Sequence, residues 1–207
     1  MLGVGSRALL FILYTPRTTL RMREYMLEVI TGAMEAGKTW LIYKRISDAK
    51  LMGKKVQVFA FPVHEEKIVS RIGFKSEAIT VPTVAEIETA LEADTQLIAI
   101  DDAQLFEKED LLMFCNKHRS DIDIIIAGVQ LNSFNENFGA MIELMGRAEK
   151  VTVLLGVCET CKQQTAIISQ RYRDSEHTIP ITKDDPRIEL RKEFYAPVCW
   201  NCYQPPV

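Results

Sequence analysis

The eight residues Gly32-Ala33-Met34-Glu35-Ala36-Gly37-Lys38-Thr39 match GxxxxGK[ST] in full, and no other feature of the chain restricts its fold as strongly. The motif needs a strand before it and a helix after it, because its backbone N–H groups converge on phosphate oxygens where a buried strand turns into a helix N-terminus. Both flanks are present: an apolar run at 26–31 precedes the loop, and helix-length apolar spacing at 38–52 follows it. Glycine lets the backbone approach the anion, Lys38 offers a cation to the β- and γ-phosphates, and the Thr39 hydroxyl is placed to ligate magnesium. All eight residues are candidates for holding a nucleoside triphosphate. Glu35 is the anomaly, since a carboxylate inside an anion cradle is repulsive, and its side chain is expected to point outward.

Downstream, short apolar runs at 55–60, 97–101, 122–127 and 150–155 alternate with helix-length stretches at 84–93, 108–117 and 138–146. Such alternation predicts an α/β domain, a mostly parallel sheet with flanking helices. After Gly156 come a cysteine pair, a β-like stretch at 165–171, a charged run at 173–192 and a second cysteine pair, dividing the chain into residues 26–156 and 157–207. The 207 residues, 47% of them hydrophobic, suffice for one sizeable core and a small appendage. Residues 1–25 carry an apolar run, Ala8 to Tyr14, too short to span a bilayer and followed by no cleavage site. They are expected to be a disordered extension or to precede the true start at Met22 or Met26, and no membrane association is expected. A formal charge of −3 argues against general affinity for nucleic acid and leaves a small polyanion as the expected partner.

A second element of a nucleotide site is Leu97-Ile98-Ala99-Ile100-Asp101-Asp102, an apolar strand ending in carboxylates. One can hold the magnesium shell while its neighbour takes a proton from an attacking hydroxyl; paired aspartates also serve as strand terminators and helix caps. The five cysteines fall as Cys158/Cys161, Cys199/Cys202 and a lone Cys115. Two CxxC pairs supply the ligands of a closed structural zinc site with no open position for catalysis, and a redox dithiol is the competing reading. The pattern suits a reducing compartment, and a cytoplasmic protein is expected. Cys115 lies among Leu111, Leu112, Met113 and Phe114, where a buried, hydrophobe-like role is expected.

Taken in order, Leu27-Glu28-Val29-Ile30-Thr31-Gly32, the phosphate loop, Ile100-Asp101-Asp102-Ala103-Gln104-Leu105-Phe106, Phe138-Gly139, Ala148-Glu149-Lys150-Val151 and the two CxxC pairs resemble the zinc-containing (type II) thymidine kinases, over residues 26–203. That resemblance implies a RecA-like P-loop domain with a zinc ribbon and a lasso loop, ATP and magnesium as cofactors with structural zinc, and a homotetramer. The implied reaction moves the γ-phosphoryl group of ATP to the 5′-hydroxyl of thymidine or deoxyuridine. It gives Lys38 and Thr39 the phosphate and magnesium roles, Asp101 the magnesium-linked role, Gln104 a place in the nucleotide site and Asp102 the position of the general base. Met34, Leu105, Phe134, Ser169, Arg171 and Tyr195 fall at nucleoside-pocket positions, Phe134 only with a one-residue shift.

The chain departs from the family at several of these positions. Asp102 stands where the family has Glu, shorter by about one C–C bond, ~1.5 Å. Leu105 replaces an aromatic and Ser169 a threonine. The stretch 60–70 lacks the Lys-Pro…Asp-x-Arg pattern whose arginine would stabilise transition-state charge, leaving Arg71 or Lys67 as candidate substitutes. The segment 173–193, in the place of the lasso, is long and polar and lacks Gly-Gly before Tyr195. These departures keep two other readings open: a nucleotide-binding relative with lost or weak phosphoryl transfer, and a P-loop ATPase whose zinc ribbon binds a partner.

Overall fold

A computed structural model of the chain describes residues 26–63, 68–69, 75–76 and 78–207; the expected extension at 1–25 lies outside them. In chain order the elements are β1 (Leu27–Gly32), α1 (Lys38–Leu51), β2 (Val56–Ala60), β3 (Ile68–Val69), β4 (Lys75–Ser76), β5 (Ile79–Thr80), α2 (Val84–Ala90), β6 (Leu97–Asp101), α3 (Lys108–His118), β7 (Asp123–Gly128), α4 (Met141–Met145), β8 (Lys150–Leu154), β9 (Ile168–Arg171) and β10 (Tyr195–Val198). Six strands form one sheet in the order β5-β2-β6-β7-β1-β8, with every pairing parallel. β3 pairs with β4, and β9 with β10, antiparallel.

Alternation within each central strand divides the core in two. Ile98, Ile100, Ile124 and Ile126 pack with Ile87 of α2, Leu111 and Phe114 of α3, and Met141 and Leu144 of α4. Their strand neighbours Ala99, Ile125 and Ala127 face the other way, onto Ile42, Ile46 and Ala49 of α1. The sheet is therefore covered on both faces, as a parallel sheet requires. Cys115 lies in the first cluster, and burial pushes its thiol up to about 12, in keeping with an inert core residue.

The strands β3, β4, β5 and β10 were not read from sequence, and three expected elements differ in extent. The helix expected at 84–93 stops at Ala90, because the Gln57 side chain donates to Ala90 O (2.9 Å), accepts from the Glu92 N–H (2.9 Å) and so caps its end. The helix expected at 138–146 shrinks to Met141–Met145, because the chain first turns through Gly139 (φ 53°). The strand expected at 165–171 begins at Ile168.

Because the sheet is parallel, its strands end along one edge, where ligands bind in open α/β folds. β1 runs into the phosphate loop, β6 ends at Asp101, and β7, lying between them, leads to Val129 and Gln130. The loop and the acids thus face each other across the end of one strand, in the expected RecA-like arrangement. The β9–β10 hairpin carries a small core of its own, Cys158, Ala166, Ile168, Val198 and Cys199.

Candidate active site

The phosphate loop is closed by backbone contacts that permit little substitution. Gly32 has φ 148°, and a Cβ there would lie 2.3 Å from the carbonyl oxygen of Leu154 on β8. The Lys38 ammonium, almost wholly buried, donates to Gly32 O (3.1 Å) and Ala33 O (2.7 Å), which holds the cation over the loop. Glu35 adopts φ 61° and is exposed, bordering the cavity beside the loop.

Two side chains tie this loop to the ribbon. The Met34 N–H donates to Ser169 Oγ of β9 (2.8 Å). Gln130 Oε1 accepts from Thr31 Oγ1 (2.5 Å) and from the Gly32 N–H (3.1 Å), while Gln130 Nε2 donates to Ile167 O (3.2 Å). The sequence reading missed Gln130. Its signal was a polar residue just past the C-terminal end of a buried strand next to the phosphate-loop strand.

Opposite the loop, Asp102 sits in the left-handed region (φ 50°, ψ 37°), which aspartate tolerates better than most residues. Its carboxylate accepts from Gln104 Nε2 (3.3 Å), and Gln104 Oε1 accepts from the Val129 N–H (3.0 Å), which fixes the amide orientation. Backbones crowd Gln104: a Cβ on Gly128 would come within 2.6 Å of its Oε1, and one on Gly139 within 2.5 Å of its O. Placed by sequence in the nucleotide site, Gln104 lines the cavity with its amide engaged in holding Asp102. Asp101 is buried and held well above the usual carboxylate range, at about 6, by burial first and the Asp102 charge second; Lys38 and a hydrogen bond from the Thr39 hydroxyl oppose the shift.

These groups border a cavity of about 500 Å³, a common size for small-molecule sites, roughly 300–1,000 Å³. Met34, Lys38, Thr39 and Trp40 of the phosphate loop and α1, Asp101, Asp102 and Leu105 after β6, and Phe138, Ser169, Tyr195 and residues 187–190 all line it. Of the nucleoside-pocket positions read from sequence, Met34, Leu105, Ser169 and Tyr195 therefore line the cavity. Phe134 does not: its ring receives the guanidinium groups of Arg187 (3.9 Å) and Arg171 (5.8 Å), and Phe138 lines the wall instead. Arg171 is also outside the lining, 3% exposed, with its guanidinium beside the Phe134 ring. The Tyr195 hydroxyl donates to Glu189 O (2.8 Å), pinning the segment that covers the cavity. Arg71 and Lys67, the candidate replacements for the missing arginine, lie outside the described residues.

The four paired cysteines converge, with all Sγ atoms within 4.8 Å of one another and Cys161 Sγ 3.8 Å from Cys199 Sγ. A tetrahedron with Zn–S bonds of about 2.3 Å has an edge of about 3.8 Å, so the cluster fits zinc. Thr39 and Asp101, a hydroxyl hydrogen-bonded to a buried carboxylate beside the phosphate loop, are the donor set that P-loop enzymes use for magnesium.

A triphosphate cradle facing two acids across a covered cavity is the layout of a P-loop phosphotransferase acting on a small molecule. Thymidine kinase is the family whose sequence pattern matches, over residues 25–203. Thymidine kinases from two strains of Chloroflexus aurantiacus, J-10-fl and Y-400-fl, are each 32% identical over 189 residues, covering 87% of this chain and 95% of theirs. The chain belongs to the thymidine kinase family.

Proposed function

We propose that the protein phosphorylates thymidine, or deoxyuridine, at the 5′-hydroxyl, with ATP as donor and Asp102 as general base. The observation that carries this reading is the Asp102 carboxylate, oriented by Gln104 and facing the same cavity as Lys38. The 5′-oxygen attacks the γ-phosphorus in line, the bond from that phosphorus to the β,γ-bridging oxygen breaks, ADP leaves with the electron pair, and the hydroxyl proton passes to Asp102. Lys38 neutralises charge growing on the transferred group and its leaving oxygen. Thr39 and Asp101 would hold magnesium, which supplies further neutralisation of the phosphates when bound. Gln104 holds the shorter Asp102 side chain in place on its left-handed backbone.

Division of labour supports a boundary near residue 156, with a triphosphate-binding part before it and a ribbon clipped by structural zinc after it. The ribbon and lasso cover the nucleoside and exclude water. A homotetramer is supported by the sheet-edge strand β8 and the residues after it, where Val151, Val153, Leu155 and Val157 form an exposed apolar row. Among the described residues no helix is long and apolar enough to cross a membrane. The cysteine cluster, a metal-binding set rather than a disulfide framework, suits a reducing compartment and supports a cytoplasmic setting.

Incubation with magnesium-ATP and each of the four deoxynucleosides tests the reading. Thymidine monophosphate is the expected product. ATP binding without any monophosphate would indicate a relative that has lost transfer, and hydrolysis stimulated by nucleic acid but indifferent to nucleosides would indicate an ATPase.

A further inference from the structure

We propose that Arg187 is a latch that closes the lasso over the nucleoside and sets how tightly, and for how long, thymidine is held. The proposal rests on the nucleoside occupying the lasso end of the cavity.

The lasso is anchored on either side of Arg187. Before it, the Arg173 guanidinium bonds the Asp185 carboxylate (2.7 Å), holding that acid down at about 2, and Asp185 also accepts from the Thr182 N–H (2.7 Å). After it, Glu189 O accepts from the Tyr195 hydroxyl. Between these ties the chain has one long cationic side chain that reaches across to another element.

The guanidinium of Arg187 is held three ways. Its Nη1 donates to Lys183 O (3.2 Å), its Nε pairs with Glu136 Oε2 (3.2 Å), and its carbon lies 3.9 Å from the centre of the Phe134 ring. The receiving turn, between β7 and α4, is itself rigid. Asn132 Oδ1 accepts from the Phe134 N–H (2.9 Å) and the Glu136 N–H (3.0 Å), and Asn132 Nδ2 donates to Glu136 Oε2 (3.0 Å). Arg187, Asn132 and Ser133 all line the cavity. Among the described residues, the polar and cation–π contacts between segment 173–194 and turn 131–137 run through Arg187.

Physical chemistry favours a releasable closure over a permanent one. The side chains of Arg187 and Glu136 are 50% and 51% exposed, so solvent screens their ion pair and leaves it weak. Stacking of the planar guanidinium on Phe134 is less screened and depends on shape as well as charge. A lid that must open in every turnover needs a contact of this size. Phe134 thus gains a role that its absence from the cavity wall had removed: it is the strike plate of the lid.

The test measures thymidine KM, kcat and release rate in wild-type, R187A, R187K, F134L and the R187A/F134L double variant, with melting temperature as a folding control. Removing a partly exposed cation–π contact should raise KM and release rate roughly fivefold in R187A and in F134L, without lowering kcat. R187K, which keeps the charge but not the plane, should fall between. The double variant should be no worse than the larger single one, since both break one contact. In the ligand-free protein, hydrogen exchange across residues 187–191 should quicken in both single variants. Wild-type exchange and wild-type KM in R187A and F134L, or fully additive effects in the double variant, would overturn the latch. If the wild-type protein makes no thymidine monophosphate yet exchange still responds to R187A, the latch stands and the assigned reaction fails.

Discussion

The two ends of the cavity are built from different materials. The triphosphate end is backbone: a loop between buried β1 and α1, with Gly32 pressed against the Leu154 carbonyl and Lys38 folded onto its own loop. The nucleoside end is side chains and long loops, held by Tyr195, Arg173, Asp185, Arg187 and a cysteine cluster. Backbone geometry fixed by a sheet tolerates little variation, whereas side-chain ties can be exchanged one at a time. That difference accords with the sequence reading, in which the phosphate motif is complete and the departures from the resemblance fall at Asp102, Leu105 and the lasso.

The sharpest way to break this contrast is to remove the metal expected on the cysteine cluster. Zinc in such sites contributes folding energy outright, so chelation or Cys158→Ser should unfold the ribbon and abolish thymidine phosphorylation. ATP binding, resting on β1 and α1, should persist. Trp40, which lines the triphosphate end at 44% exposure, offers a fluorescence reading of it. Loss of ATP binding on chelation would mean that the two ends are one cooperative unit.

Asp102 stands where the ends meet, and Asp102→Asn should cost about 10²–10⁴ in kcat, the usual worth of a general base, with ATP affinity unchanged. Retained turnover would remove Asp102 from the mechanism. Asp102→Glu restores the family's side chain, and a faster enzyme would show that reach limits the natural one. A slower enzyme would show that the left-handed Asp102 and Gln104 are tuned to each other.

Asp101 gives a smaller effect with a defined pH dependence. Its pKa of about 6 in the fold exceeds the ordinary 3.8, so the fold binds a proton that the unfolded chain releases. Stability of the ligand-free, metal-free protein should therefore fall as pH rises from about 4 to 6, and the cost is fully present above that window. Asp101→Asn removes it, and urea unfolding should show a gain of about 2–3 kcal/mol at pH 8 and almost none at pH 4. Magnesium-dependent ATP affinity should drop in the same variant. No gain at pH 8 would mean that Lys38 and Thr39 already compensate the charge.

What the sequence made legible follows the same division. Strand-to-helix context and a fixed octapeptide located the triphosphate end, and apolar runs located β1, β2, β6, β7 and β8 to within a residue or two. Alternation of short and long apolar stretches was enough to give the parallel sheet. At the other end, Ser169 and Tyr195, read by order along the chain, line the cavity, while Phe134 does not, because spacing in an irregular turn does not say which ring faces inward. Phe138 lay in plain view but read as the start of a helix; Gly139 turns the chain there and leaves the ring on the cavity wall. Gln130 offered only its place past the end of a buried strand and Arg187 no local pattern, since Thr31 and Gly32 lie about 100 residues from the first, and Phe134 and Glu136 about 50 from the second.

Gln130 is the seam between the two ends, and it yields the smallest effect with the most to say about their coupling. Gln130→Leu leaves the Gly32 N–H and Ile167 O without the partners they have now, while Thr31 Oγ1 keeps its bond to Gly128 O (3.0 Å). Orphaned backbone groups of this kind cost roughly 1–3 kcal/mol before relaxation, and water entering the gap should bring the net loss to about 1–2 kcal/mol. If Gln130 merely fills space, that loss appears in stability alone. If it transmits position, the shift of Gly32 and of β9 raises KM for ATP and for thymidine together, roughly tenfold each for a loss of that size. A rise in the ATP value alone would place Gln130 in the cradle. Wild-type values for both substrates would leave the Met34–Ser169 bond as the tie that joins the two ends.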